Sequence, residues 1–158
     1  MKKIILLLFL LSQFSFSQWT NNNFKDILNN STGKKYIISD IIQGHFSNSG
    51  TPNSKLFSYI LITENNVGIF LSEYSKNNKP VNFLGSIAGK NEKNEIFEST
   101  VEEWNNNGGV YVSNSLNFID FLKKSKSVTI KLRNRHSGAY FFKINTENIK
   151  RNFNSIDD

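Results

Sequence analysis

The richest chemical pattern in this chain is a run of alternating cations near its C-terminal end. In residues 127–135, Val128, Ile130 and Leu132 alternate with Thr129, Lys131, Arg133 and Arg135. A period of two sends the two sets to opposite faces of a β-strand. The next run, residues 138–145, sets Tyr140, Phe142 and Ile144 against Ala139, Phe141 and Lys143. A hairpin that turns at Arg135-His136-Ser137-Gly138 and pairs Leu132 with Tyr140 brings Lys131 opposite Phe141, and Arg133 opposite Ala139. Its outer face, Lys131, Arg133, Arg135, Phe141 and Lys143, combines four cations with one aromatic ring. That mixture suits an anionic sugar, a phosphate or an acidic protein patch. The same pattern also serves as a solvated strand face that discourages edge pairing.

A second cluster is acidic: Glu92, Glu95, Glu98, Glu102 and Glu103 lead up to Trp104. Glycosidases set two carboxyl groups across the scissile bond, and an aromatic ring beside them holds the sugar. Glu98 with Glu102 or Glu103, next to Trp104, is therefore the one enzymatic arrangement on offer. It would need one carboxyl group whose pKa is raised by burial. Trp104 itself is expected in the core, and Trp19 is equally open to a core or a contact role. His45 and His136 stand in neither HxH nor HExxH spacing, and Arg133 and Arg135 would repel a cation near His136, so no metal is expected. Nucleophile motifs and phosphate-cradling glycine loops are missing as well, and no cofactor is expected.

These groups must be positioned by strands. Residues 36–46 read as a strand with Tyr36, Ile38, Ile42 and Phe46 on one face. Residues 56–63 are apolar on both faces, as a central strand should be, and Glu64-Asn65-Asn66 turns into residues 67–74. A fourth strand follows at 81–88. Residues 95–104 fit strand or helix almost equally, with strand preferred because it continues the series. Residues 110–112 are a short strand, after which Asn114 or Ser115 can cap a helix to Lys124. Phe24, Ile27 and Leu28 fit one helical turn, and Thr146 can cap a last helix carrying Ile149, Phe153 and Ile156. The expected fold class is α+β: a mostly antiparallel β-sheet, laid out as a meander or sandwich-like, with two helices near the C-terminus.

Composition narrows the functional classes. The 158 residues carry a net charge of +6, two prolines, no cysteine and 21 aromatics, 14 of them Phe. So many aromatics argue against disorder, and disulfide or thiol chemistry is excluded. Met1-Lys2-Lys3, the apolar residues 4–11 and Ser15-Phe16-Ser17 resemble a bacterial export leader, with cleavage expected between Ser17 and Gln18. An apolar run this short falls well below the roughly 20 residues that a spanning helix needs. The expected organisation is a leader over 1–17, an Asn-rich segment over 18–34 and a single domain over 35–158. The expected location is the periplasm or outside the cell, with no transmembrane segment in the mature chain. The expected role is non-enzymatic binding of an envelope protein or anionic glycan, not nucleic acid, through the basic hairpin face. Its narrower form is an inhibitor or immunity protein against a toxin or cell-wall hydrolase. The alternative of another class is a small glycan-acting hydrolase using Glu98 and Glu102.

Overall fold

The computed structural model describes residues 18–74, 84–104, 109–135 and 138–154. Ten strands follow the period-two runs: β1 (Trp19–Lys25), β2 (Ser31–Ser39), β3 (Ile42–Ser47), β4 (Ser54–Ile62), β5 (Val67–Glu73), β6 (Gly85–Asn91), β7 (Ile96–Trp104), β8 (Gly109–Val112), β9 (Ser127–Asn134) and β10 (Gly138–Asn145). Two helices complete the set, α1 (Ser115–Lys124) and α2 (Ile149–Asn154).

Neighbouring strands are antiparallel, and the order β3-β4-β5-β8-β7-β6-β9-β10 returns to β3. Eight strands thus close into a barrel. This corrects the expected α+β, sandwich-like meander to a mostly-β closed barrel with two short helices. The reason lies in sequence distance. The local runs do form hairpins, but closure joins Tyr140 to Phe46, Ile69 to Val110 and Ile87 to Leu132. Strand twist curls the sheet until such remote edges meet.

An eight-strand barrel is just narrow enough for side chains to fill. Alternate residues, among them Leu56, Ile60, Ile69, Ile87, Leu132 and Tyr140, point inward and are buried. Lys90, Glu98, Thr129 and Arg133 lie exposed on the alternate, outward positions. Apolar inside and charged outside is the reverse of a lipid-spanning barrel. No helix among the described residues is long and apolar enough to cross a membrane.

Helix α1 carries the chain from β8 across one end of the barrel to β9. Phe118, Ile119 and Leu122 are buried there, and the Phe118 ring lies 4.8 Å from Phe97. Asn114 takes the N-cap position without a side-chain cap bond. Ser115 does the fastening instead: its hydroxyl donates to the Val112 carbonyl at 2.6 Å and accepts the Val67 N–H at 2.9 Å. In α2, Ile149 and Phe153 are buried, while Ile156 lies outside the described residues. Thr146, expected as its cap, donates its hydroxyl to the Ser125 carbonyl at 2.5 Å.

The other local expectations divide. Residues 96–104 adopt the strand alternative, and the strand expected at 81–88 runs over Gly85–Asn91, with 81–83 outside the described residues. Residues 36–46 are two strands instead of one. The chain bends at Asp40 and Ile41, where the Ser39 hydroxyl accepts the Ile60 N–H at 2.9 Å. Ile37 and Ser39 are buried before the bend, Ile42 and Phe46 after it, so the inward parity changes. Residues 24–28 are no helical turn. They end β1 and open the turn into β2, in which the Asp26 carboxylate accepts the Leu28 N–H at 2.8 Å and the Asn30 N–H at 2.9 Å. Short polar side chains compete in this way with helical hydrogen bonds. The β1–β2 ribbon is sewn to the barrel by Trp19, buried, whose indole donates to the Asn145 carbonyl at 2.7 Å.

Candidate functional site

The β9–β10 register places Lys131 opposite Phe141 and Arg133 opposite Ala139, as the alternation requires. The Lys131 ammonium stands 5.1 Å from the Phe141 ring centroid. On the far side of β10, β3 sets His45 opposite Phe141, and the two rings stack at 5.0 Å with planes 16° apart. Lys55 of β4 pairs with His45. On the far side of β9, β6 presents Ala88 to Lys131, and β7 presents Glu98 to Ala88. One belt thus runs Lys55, His45, Phe141, Lys131, Ala88, Glu98 around the outside of the barrel.

The neighbouring rows extend it. Thr129 lies between Lys143 and Lys90, and Arg133 lies between Ala139 and Ser86. Small Ala88 and Ser86 leave a cavity of about 560 Å³ whose lining includes Lys131, Arg133, Glu98 and Thr100. Lys131, Arg133, Phe141 and Lys143 therefore share one wall. Arg135 stands beyond the end of β9, at the rim opposite the α1 end, where its N–H donates to the Leu84 carbonyl at 3.0 Å.

At that rim Arg133 and Arg135 line an open cavity of about 950 Å³ with Ser47, Asn48, Thr51 and Tyr74. Its loop is pinned. The Asn48 side-chain oxygen accepts the Gly50 N–H at 3.0 Å, and both the Thr51 N–H and the Thr51 hydroxyl at 2.8 Å. Gly138 has φ +133°, and a Cβ there would overlap the Ser47 carbonyl, so the hairpin can seat itself against the loop only with glycine. Beneath the rim, the Tyr140 hydroxyl donates to the Glu73 carboxylate at 2.6 Å. His45, Lys90 and Lys55 belong to this wall and escaped the sequence reading, because their neighbours are set by closure.

The acidic cluster has a different geometry. Glu98 and Glu102 both point outward, four residues apart along β7, with their Cα atoms about 13 Å apart. Glu103 faces inward, its Oε1 buried without a hydrogen-bond partner. Trp104, expected in the core, lies outside the barrel and half-buried. It stacks on Tyr111 at 4.0 Å and lies 5.2 Å from Phe70, which stacks on Tyr59 at 4.6 Å. Glycines make the room: a Cβ at Gly68 would overlap the Trp104 ring, and one at Gly109 would meet Phe70 at 2.8 Å. Burial in this strip pushes the Tyr59 phenol up from its ordinary value.

Among the described residues no three His, Asp or Glu side chains are gathered as a metal site, and His136 lies outside those residues. Comparison with known proteins gives no match, whether to family models, to curated proteins or to solved structures.

Proposed function

We propose that this chain is an exported, non-enzymatic binding domain whose basic outer wall engages an anionic envelope partner, either an acidic protein face or an anionic glycan. The observation that supports it is the belt in which Lys131 stands over Phe141, His45 stacks beside it, and Arg133 and Arg135 follow toward the rim. Guanidinium groups offer paired hydrogen bonds to carboxylate, sulfate or phosphate. A barrel wall holds them at fixed spacing, which lowers the ordering cost of binding. Apolar side chains fill the interior, so a partner is met on the outside. In the narrower form of the reading, the partner is a toxin or cell-wall hydrolase, and the pinned rim offers Arg133 and Arg135 to its acidic groups.

Capture from the cell envelope with the tagged chain, identified by mass spectrometry, tests the wall. The double variant Arg133→Glu/Arg135→Glu changes two exposed side chains and should leave the melting temperature unchanged. It should weaken capture at least tenfold, about 1.4 kcal/mol, and wild-type capture should fall as salt screens the wall. Capture by the variant at wild-type strength overturns the assignment.

A further inference from the structure

The β1–β2 ribbon ends in the most exposed apolar groups of the described chain. Ile27 is 101% exposed and Leu28 75%, side by side at the apex of the turn. A pair of bare aliphatic side chains on a loose loop would carry little meaning, but this apex is built. Asp26 accepts the Leu28 and Asn30 N–H groups and, at 3.3 Å, the Asn30 side-chain amide. The Asp26 N–H donates to the Asn30 carbonyl at 2.9 Å, and Asn29 takes φ 67° to close the turn. The same bonds, the Asn30 backbone N–H first, hold the Asp26 carboxyl below its ordinary value.

Behind the apex the ribbon is ordered by depth. Lys25 pairs with Ser31 one step back. Phe24 follows, its ring 4.6 Å from Tyr36, and Lys34 and Lys35 precede Tyr36 on the partner strand. An aliphatic tip, with Lys25 one step behind it and Lys34 and the Phe24–Tyr36 rings next, sets an apolar end against a cationic and aromatic collar, a combination that suits acyl chains beneath anionic head groups. The acidic groups near the ribbon are Asp26, tied into its own turn, and Glu64, which lines a cavity with Lys34 and Lys35. We infer that this ribbon is a membrane-contact arm: Ile27 and Leu28 enter the outer acyl region of a bilayer carrying anionic phospholipid, and the exposed Lys25 and Lys34 meet its head groups. The arm is separate from the basic wall and does not depend on it.

Vesicle sedimentation tests the arm, using equal parts phosphatidylglycerol and phosphatidylcholine, then phosphatidylcholine alone. The wild-type chain should partition onto the anionic vesicles. Ile27→Ser/Leu28→Ser should cut partitioning at least about tenfold with an unchanged melting temperature, since both side chains are exposed and the turn bonds remain. Lys25→Glu/Lys34→Glu should lower binding to the anionic vesicles only. The chain has no cysteine, so an environment-sensitive dye on Leu28→Cys reports the apex alone and should shift to an apolar signal on the anionic vesicles. Failure of the wild-type chain to sediment, or equal sedimentation of the Ile27/Leu28 variant, overturns the inference. So does a self-association abolished by that variant in the absence of any vesicle binding, which would make a second copy the occupant.

Discussion

The barrel carries two opposite outer walls built on different physics. On the β9–β10–β3 wall, Lys131 lies over the Phe141 ring and Arg133 stands exposed on the outer face. On the β4–β5–β8–β7 wall, Tyr59, Phe70, Tyr111 and Trp104 cover one another and the bare backbone of Gly68 and Gly109. The first is charged outer surface. The second is a small core placed outside the barrel. An aromatic strip on a sheet is thus not a binding platform by default; glycines under the rings mark it as packing, whereas the cations of the other wall stand beside small alanine and serine.

The sharpest way to break this contrast is to remove one group from each wall. Trp104→Ala takes away a half-buried ring packed against two others and should cost about 2–3 kcal/mol, below the range for a fully buried tryptophan. Lys131→Ala should stay within about 0.5 kcal/mol. Urea unfolding of both variants decides the matter, and equal costs would erase the distinction between the walls.

A smaller effect tests the glycine. Valine ordinarily favours a strand, yet Gly68→Val drives its side chain into the Trp104 ring and should cost about 1–3 kcal/mol. In a Trp104→Ala background only the 3.3 Å approach to the Phe70 ring remains, and the same substitution should cost much less or become neutral. That non-additivity in a double-mutant cycle is the signature of direct contact. Ala88→Val, between Lys131 and Glu98 on the outer face, should be within about 0.5 kcal/mol. Additive costs at Gly68 and Trp104 would show that the ring is not seated there.

The basic wall was legible in part for the same reason that the aromatic wall was not. Lys131, Arg133, Phe141 and Lys143 sit in one hairpin, where a short turn fixes the register and alternation fixes the face. The helix over Ser115–Lys124 is local too. His45 joins Phe141 across almost a hundred residues, and Trp104 meets Gly68 and Gly109 from three different strands. Alternation says which side of a strand is covered but not which strand lies beside it, so neither the closure of the barrel nor an outward tryptophan can be read from the runs. At the bend after Ser39 and in the Asp26 turn, side-chain hydrogen bonds to the backbone outweigh the pattern of apolar residues.

The smallest expected effect is a titration. Burial on the aromatic wall raises the Tyr59 phenol above its ordinary value of 10.0. The folded chain therefore holds this proton more tightly than the unfolded chain does. The contribution to stability is intact below about pH 10, the unfolded value, and is lost as pH climbs from there through the folded value. Alkaline unfolding of Tyr59→Phe should lack that decline, and phenolate absorbance should show one tyrosine fewer ionising late. Phe70→Ala uncovers the Tyr59 ring, stacked on it at 4.6 Å, and should bring the phenol back toward 10.0. A Tyr59 titration indifferent to Phe70 would mean that the ring is not what shields it, and the strip would then be four separate surface aromatics instead of one packed wall.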